Sequence, residues 1–285
     1  MVGKIIKAIS GFYYIEFENN IYECRAKGIL KRNNVSPLVG DLAEFDIINE
    51  KEGNLVKIVE RKNSLIRPPV ANLDAVVLVV ASKNPEPSLL FLDKQLAFLA
   101  SINVEPIICF NKSDLDNADS MKNIYTNIGY KVILTSAKEK IGIEELKASI
   151  SGKTIAFVGN SGVGKSSLTN ILLGTNTMEE GSLSKIERGK QTTRHCELLK
   201  IKENTYIIDT PGFSSFELPD IELNELANLF VEFKNKMSDC EYNDCRHVLE
   251  EECGIRKAVN SGEISGTRFE NFKILYQELA GRRKY

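Results

Sequence analysis

The chain is 285 residues long, 42% apolar and 27% charged, with a formal net charge of −2. That length exceeds one ordinary core and predicts two or three domains, while the near-balance of charge excludes a generic polyanion binder; no DNA partner is expected, and any RNA contact must come from a local patch. The apolar run 75–81 falls far short of the ~18 residues that span a bilayer, and residues 1–10 lack the extended apolar core of a signal peptide, so a cytoplasmic monomer without a membrane partner is expected.

Short alternating segments replace helical periodicity in residues 1–66. They are Phe12-Tyr13-Tyr14-Ile15-Glu16-Phe17, Ile21-Tyr22-Glu23-Cys24-Arg25, Leu42-Ala43-Glu44-Phe45-Asp46-Ile47 and Leu55-Val56-Lys57-Ile58-Val59. Separated by Gly, Asn and Pro turns, such strands predict a small closed barrel, with an OB-type fold as the natural candidate. Between Cys24 and Gly40 stand Arg25, Lys27, Lys31 and Arg32 with no acidic residue, a basic patch able to meet RNA phosphates.

A Pro-containing linker, Arg67-Pro68-Pro69-Val70-Ala71-Asn72, opens a region in which strands at 75–81, 106–110 and 131–135 alternate with helices at 89–100, 119–128 and 143–150. This βαβ pattern predicts an α/β core, a largely parallel sheet with helices on both faces. Asn111-Lys112-Ser113-Asp114 ends the 106–110 strand, where doubly wound sheets bind ligands. A carboxylate there accepts from both N1–H and the exocyclic amine of guanine, a pair that adenine does not offer. Asp114 is therefore read as the specificity residue, Asn111 as support for the loop and purine edge, and the Lys112 stem as a cover for the base plane. Ser136 and Ala137 follow the next strand, and Ala137 or a neighbour would give a backbone N–H to guanine O6.

The phosphate motif comes only then, as Gly159-Asn160-Ser161-Gly162-Val163-Gly164-Lys165-Ser166 followed by Ser167, between a buried strand at 153–159 and a helix at 165–173. Its glycines let successive N–H groups turn inward around phosphate oxygens. Lys165 would reach the β- and γ-phosphates, and the Ser166 hydroxyl would be a ligand of Mg²⁺. A polar stretch at 181–193 is the expected switch loop, and one of Thr192 and Thr193 would complete the metal shell. Asp209-Thr210-Pro211-Gly212 closes an apolar strand at 206–208; Asp209 would hold Mg²⁺ through water, and the Gly212 N–H would sense the γ-phosphate. All the parts of a guanine-nucleotide site are present in rotated order, which reads as a circularly permuted GTPase binding GTP or GDP.

After about residue 218 the pattern turns helical and charged, with helices expected at 221–236 and 268–280 and a basic tail, Arg282-Arg283-Lys284-Tyr285. Of the six cysteines, Cys24, Cys109 and Cys196 are scattered and read as core or incidental residues. Cys240, Cys245, His247 and Cys253 lie within fourteen residues and hold one of the chain's two histidines. Three thiolates and one imidazole make the closed four-ligand set of a structural zinc site, with no open position for a substrate water.

The motif order, the Asp209-Thr210-Pro211-Gly212-Phe213 variant and the cysteine cluster together resemble the bacterial circularly permuted, ribosome small subunit-dependent GTPase family, over essentially the whole chain. The resemblance implies an N-terminal OB-fold that binds RNA (1–66), a permuted GTPase core (67–218) and a C-terminal helical zinc-binding domain (219–285). It also implies GTP hydrolysis coupled to late maturation of the small ribosomal subunit, with that subunit and its rRNA as partners. The chain departs from the family pattern in its switch, where Gln191 stands at the usual histidine position just before the Thr pair. Phe213 occupies the place of the Gln found in many regulatory GTPases and cannot orient a water by hydrogen bonding. The catalytic set is read as Gln191, Thr193 and Gly212, with Gln191 and His195 both open as the group that orients water. The other reading is a nucleotide-gated RNA-binding translational regulator in which hydrolysis is incidental. Because the permutation sets 210–216 directly before the C-terminal domain, an order change there on γ-phosphate binding could move that domain.

Overall fold

A computed structural model describes residues 1–26, 36–65, 68–174, 196–209, 216–218 and 221–282. Strands β1 (Val2–Ile9), β2 (Phe12–Phe17), β3 (Asn20–Ala26), β4 (Leu42–Ile47) and β5 (Glu52–Ile58) run in the spatial order β1-β2-β3-β5-β4, and β4 pairs back onto β1. The ladder is antiparallel except between β3 and β5, which are parallel. The β1–β4 pairing, through Val2, Gly3 and Lys4, closes the ladder into a barrel. Ile5, Ile15, Tyr22, Cys24, Ala43, Phe45 and Leu55 fill its interior. Strand β1 does not stand out in the sequence, because a bulge between Ile5 and Lys7 breaks its two-residue alternation.

A short hairpin of β6 (Ser64–Leu65) and β7 (Val70–Ala71) leads into the second sheet. Its strands are β8 (Ala75–Ala81), β9 (Glu105–Asn111), β10 (Lys131–Leu134), β11 (Thr154–Val158), β12 (Glu197–Lys202) and β13 (Thr205–Asp209), in the order β10-β9-β8-β11-β13-β12. All neighbours are parallel except β12 and β13. Every residue of β8 is buried because both faces are covered. One face packs α1 (Leu89–Ser101), through Leu92, Leu96 and Leu99, and α2 (Asp119–Thr126), through Tyr125, against Val76, Leu78 and Val80. The other packs α3 (Ile143–Ile150) and α4 (Lys165–Leu173) against Ala75, Val77 and Val79.

Strand β12 also pairs with β1 through Lys7 and Glu197, so barrel and α/β core share one eleven-stranded sheet. Side chains reinforce the joint: Lys4 donates to Thr154 Oγ1 at 2.9 Å, and the Tyr206 hydroxyl donates to Glu16 at 2.6 Å.

The C-terminal segment differs from the expected helix over 221–236. A 3-10 helix spans Leu223–Leu229, and turns carry the chain on to a second one at Met237–Asp239. Leucines 223, 226 and 229 recur every three residues, the repeat that a 3-10 helix stacks on one face and an α-helix spreads around its axis. Then come α5 (Gly254–Asn260) and α6 (Gly266–Arg282), and Leu226, Phe230, Phe233, Ile255, Phe272 and Leu275 pack between these elements.

This C-terminal core is fastened to α1. Ala97 is part of it, and Lys94 meets Glu278 at 2.7 Å. Deeper in, the fully buried Asp93 carboxylate accepts from Arg268 (2.6 Å), Asn271 (2.7 Å) and the Tyr125 hydroxyl (2.8 Å). Arg268 also forks onto Glu232 at 2.7 and 2.9 Å and lies over the Phe230 ring. Arg268→Met leaves Asp93 buried without its cation and is expected to cost about 3–5 kcal/mol. Denaturant unfolding checks this, and adding Asp93→Ala to Arg268→Met is expected to restore part of the loss.

Candidate functional site

The parallel strands β8, β9, β10, β11 and β13 end at one edge of the sheet, and the motifs at 111–114, 136–137 and 159–167 meet there. Asn111, the last residue of β9 and 1% exposed, is the junction. Its Nδ2 donates to Val163 O in the phosphate loop at 2.8 Å, while its Oδ1 accepts from Thr135 Oγ1 and from the Ala137 N–H, both at 3.1 Å. One amide thus ties together the loops after β9, β10 and β11. Gly164 is required beside it: its φ is +98°, and a Cβ there would lie 2.2 Å from Asn111 Nδ2. Gly159 meets a similar limit, since its Cβ would lie 2.1 Å from Val79 O.

Asp114 is exposed at this edge, and its Oδ1 accepts from Ser136 Oγ at 2.6 Å. That hydrogen bond holds the carboxyl below the usual carboxylate range, so it stays an acceptor across the neutral region. Ser136 Oγ accepts in turn from the Glu139 N–H at 3.0 Å. Lys112 adopts a left-handed φ of +64°. Its carbonyl accepts from Ser82 Oγ at 2.7 Å and its ammonium donates to Asn84 O, so the loop after β8 anchors the guanine-type motif. Sequence reasoning missed Thr135, Ser82 and Asn84 as supports. Thr135 stood beside a recognised motif; Ser82 and Asn84 carry no local signal. The Ala137 N–H assigned to guanine O6 is engaged by Asn111 here.

In the phosphate loop, Asn160, Ser161 and Gly162 are exposed, whereas Val163 is buried in the core below. Lys165 Nζ donates to Gly159 O at 2.6 Å and Asn160 O at 2.8 Å, folding its stem back over the loop. Partial burial holds its pKa below the ordinary lysine value. Ser166 and Ser167 stand in the first turn of α4, the end of a helix that favours anions. Asp209 ends β13, beside the strand that leads into this loop. Ser166 thus opens the helix that follows β11, and Asp209 is the last residue of the neighbouring strand β13. Gln191, Thr192, Thr193, His195, Gly212 and Phe213 lie outside the described residues, as do Lys27, Lys31, Arg32 and Arg67 and the last three of the basic tail.

Away from this edge, Cys240, Cys245, His247 and Cys253 bring their ligand atoms within 4.8 Å of one another. His247 Nδ1 lies 3.5 Å from Cys240 Sγ and 3.4 Å from Cys253 Sγ, and those sulfurs are 3.9 Å apart. Zn–S of about 2.3 Å and Zn–N of about 2.0–2.1 Å in a tetrahedron require about 3.6 Å between S and N and about 3.8 Å between sulfurs. The donors therefore fit zinc. His247 has a left-handed φ of +63°, which turns its ring back into the cluster, and the Gly254 N–H donates to Cys240 Sγ at 3.3 Å.

The strand order is that of a P-loop GTPase whose phosphate strand lies mid-chain, so the class is a circularly permuted GTPase. The RsgA GTPase family model matches residues 58–219, and the RsgA N-terminal domain model matches 2–55. The chain belongs to the RsgA GTPase family, and it hydrolyses GTP to GDP and phosphate. It is 43% identical to a small ribosomal subunit biogenesis GTPase RsgA of Agathobacter rectalis, with 100% of both chains covered. Its namesake in Caldanaerobacter subterraneus is 42% identical, over 99% of this chain and 97% of that one. Among solved structures, YloQ, described as a circularly permuted GTPase, superposes with a TM-score of 0.84 at 36% identity, covering 99% of this chain and 95% of its own. YjeQ from Thermotoga maritima gives 0.86 at 36% identity over 98% of each chain.

Replacing the Asp114 carboxylate by an amide turns one acceptor into a donor. Asp114→Asn is expected to weaken GTP binding and raise the relative affinity for xanthosine triphosphate, as competition against a labelled guanine nucleotide would read. Metal analysis of the wild type is expected to give about one zinc per chain. Cys253→Ser, at a fully buried position, should lose that zinc together with thermal stability.

Proposed function

We propose that the chain spends GTP on late maturation of the small ribosomal subunit, binding that subunit and its rRNA in a nucleotide-dependent way. The names of its full-length relatives support this reading. The observation that carries it is the arrangement of the accessory units around the nucleotide edge. The barrel joins β12, the strand that follows the 181–193 stretch, and the C-terminal module sits on α1, which also holds Phe216, just after the Asp209 motif. One stretch assigned to a γ-phosphate-sensing role thus precedes the strand that carries the barrel, and the other precedes a residue bonded to the helix that carries the C-terminal module, a layout suited to reporting the nucleotide state to a large RNA surface. In this reading the chain divides into an RNA-binding barrel (1–66), the GTPase (67–218) and the zinc domain (219–285).

At the site, Asp114 selects guanine, Asn111 and Ser136 hold the recognising loops, Lys112 covers the base, and a backbone N–H at or beside Ala137 serves O6. Residues 159–167 cradle the phosphates, with Lys165 exchanging its loop carbonyls for phosphate oxygens. Ser166, Asp209 through water, and one of Thr192 and Thr193 would hold Mg²⁺, which would supply charge neutralisation at the phosphates. Gly212 senses the γ-phosphate, and Gln191 or His195 orients water. The zinc ion held by Cys240, Cys245, His247 and Cys253 is structural. With Phe213 beside the γ-phosphate the chain alone should be slow, and a partner that orders the switch would supply the missing organisation.

Small ribosomal subunits are expected to stimulate phosphate release strongly and to bind more tightly with a nonhydrolysable GTP analogue than with GDP. Large subunits are expected to do neither. Phosphate release and sedimentation with each purified subunit check this. Equal stimulation by both subunits, or by neither, would favour a translational regulator with incidental hydrolysis.

A further inference from the structure

Two of the four zinc-type ligands, Cys245 and His247, are separated by a single residue, so the backbone must turn sharply for both to face one ion. It turns through the left-handed φ of +63° at His247, a conformation unfavourable for a residue with a Cβ. Side-chain packing gives this turn little support. Arg246 is exposed, Leu249 is 84% exposed, and Val248 is only partly buried against the C-terminal core. The support is polar instead. Glu250 Oε1 accepts from the Arg246 N–H at 3.0 Å, and Oε2 accepts from the Val248 and Leu249 N–H groups, each also at 3.0 Å. These donors flank His247 on both sides. A left-handed residue in a turn makes neighbouring N–H groups converge into a concave site for an anion, and here the chain supplies the anion itself. Arg256, on α5, holds the carbonyls of the same turn: its Nη1 donates to Leu249 O at 3.0 Å and to Glu250 O at 2.9 Å. Helix α5 starts directly after Cys253, so Arg256 ties the turn to the helix that this ligand precedes.

We propose that Glu250 is a positioning residue for the metal site, holding His247 in the backbone conformation that aims its ring at Cys240 and Cys253. Its hydrogen bonds end on backbone N–H groups and not on a ligand atom, so it acts through the turn. A carboxylate has lone pairs for all three donors and brings no N–H of its own, which an amide would. A turn already ordered without the ion has less freedom to lose when the ion binds. Glu250 has this role only if the cluster binds zinc, as read above.

The test compares the full wild-type chain with Glu250→Ala, Glu250→Gln and Glu251→Ala. Glu251 is exposed and carries the same charge, so its variant separates loss of the brace from loss of one negative charge. The measurements are zinc release to an excess of chelator, the visible absorption of the cobalt-substituted protein, and GDP affinity. Glu250→Ala is expected to release zinc about tenfold faster or more, the scale of outer-shell substitutions at metal sites. Its cobalt bands are expected to shift toward those of His247→Ala, the signature of a weakened nitrogen ligand. Glu250→Gln, which keeps one acceptor oxygen, should fall between, and Glu251→Ala should match the wild type. GDP affinity within about twofold of wild type certifies a folded GTPase core, since none of these residues lies at the nucleotide edge. If Glu250→Ala does not fold, Glu250→Gln and Arg256→Gln carry the test, with the same direction expected. Wild-type release from the Glu250 variants, an unshifted cobalt spectrum, or equal acceleration in Glu251→Ala would overturn the proposal. A wild type that holds neither zinc nor cobalt would remove the zinc reading itself, whereas a metal-holding wild type with equally retentive variants removes only the role of Glu250.

Discussion

The nucleotide edge depends on the Asn111 side chain. A buried amide has two hydrogens to give and two lone pairs to fill, and this one, at the end of β9, uses one hydrogen and both lone pairs on the loops after β10 and β11. Those loops are far apart in the chain and belong to different tasks, the phosphate cradle on one side and base recognition on the other. Their relative placement follows from a single rigid, planar group. Gly164 is the steric counterpart of this arrangement, since the amide occupies the space that any Cβ would need.

Two further joints extend this order outward, and they differ in kind. The barrel is attached by main-chain pairing at β12, backed by Lys4 and Glu16. The C-terminal module is attached by side chains, through the buried Asp93, Arg268 and Glu232 group and the apolar contact at Ala97. Helix α1 is accordingly buried on two sides, one row facing the sheet and another facing the module. Burial of an ion pair costs desolvation that an apolar contact would not, but it admits few alternative geometries.

The sequence made the chemistry legible where it is local. The phosphate loop, Asn111-Lys112-Ser113-Asp114 and the cysteine cluster each lie in a short stretch whose spacing reflects the geometry needed, and their rotated order exposed the permutation. Strands outside that reach were harder. The bulge in β1 erased its period, and β12 is a short amphipathic strand that becomes evident only as the partner of β13 across the Glu203-Asn204 turn. The 3-10 segment was legible in retrospect from leucines three apart, a spacing easily absorbed into a helical pattern. Gln95 had no signal at all, because its side chain bonds to Phe216, 121 residues away. Polar groups that act across the fold are invisible to periodicity for that reason.

The permutation also sets the order in which the sheet can be completed as the chain is made. In a GTPase that begins at its phosphate strand, the central strand emerges early and the base-recognition strands are added beside it. Here β8, β9 and β10 emerge first, and one side of β8 has no neighbour until β11 arrives more than seventy residues later. The barrel can close before that, since all five of its strands are already synthesised. The same molecule therefore builds its guanine-reading half against an unfinished sheet, and the strand that carries the phosphate loop is also the one that closes the gap. A growing chain of this protein therefore joins its base-recognition loops to its phosphate loop in the step that places β11.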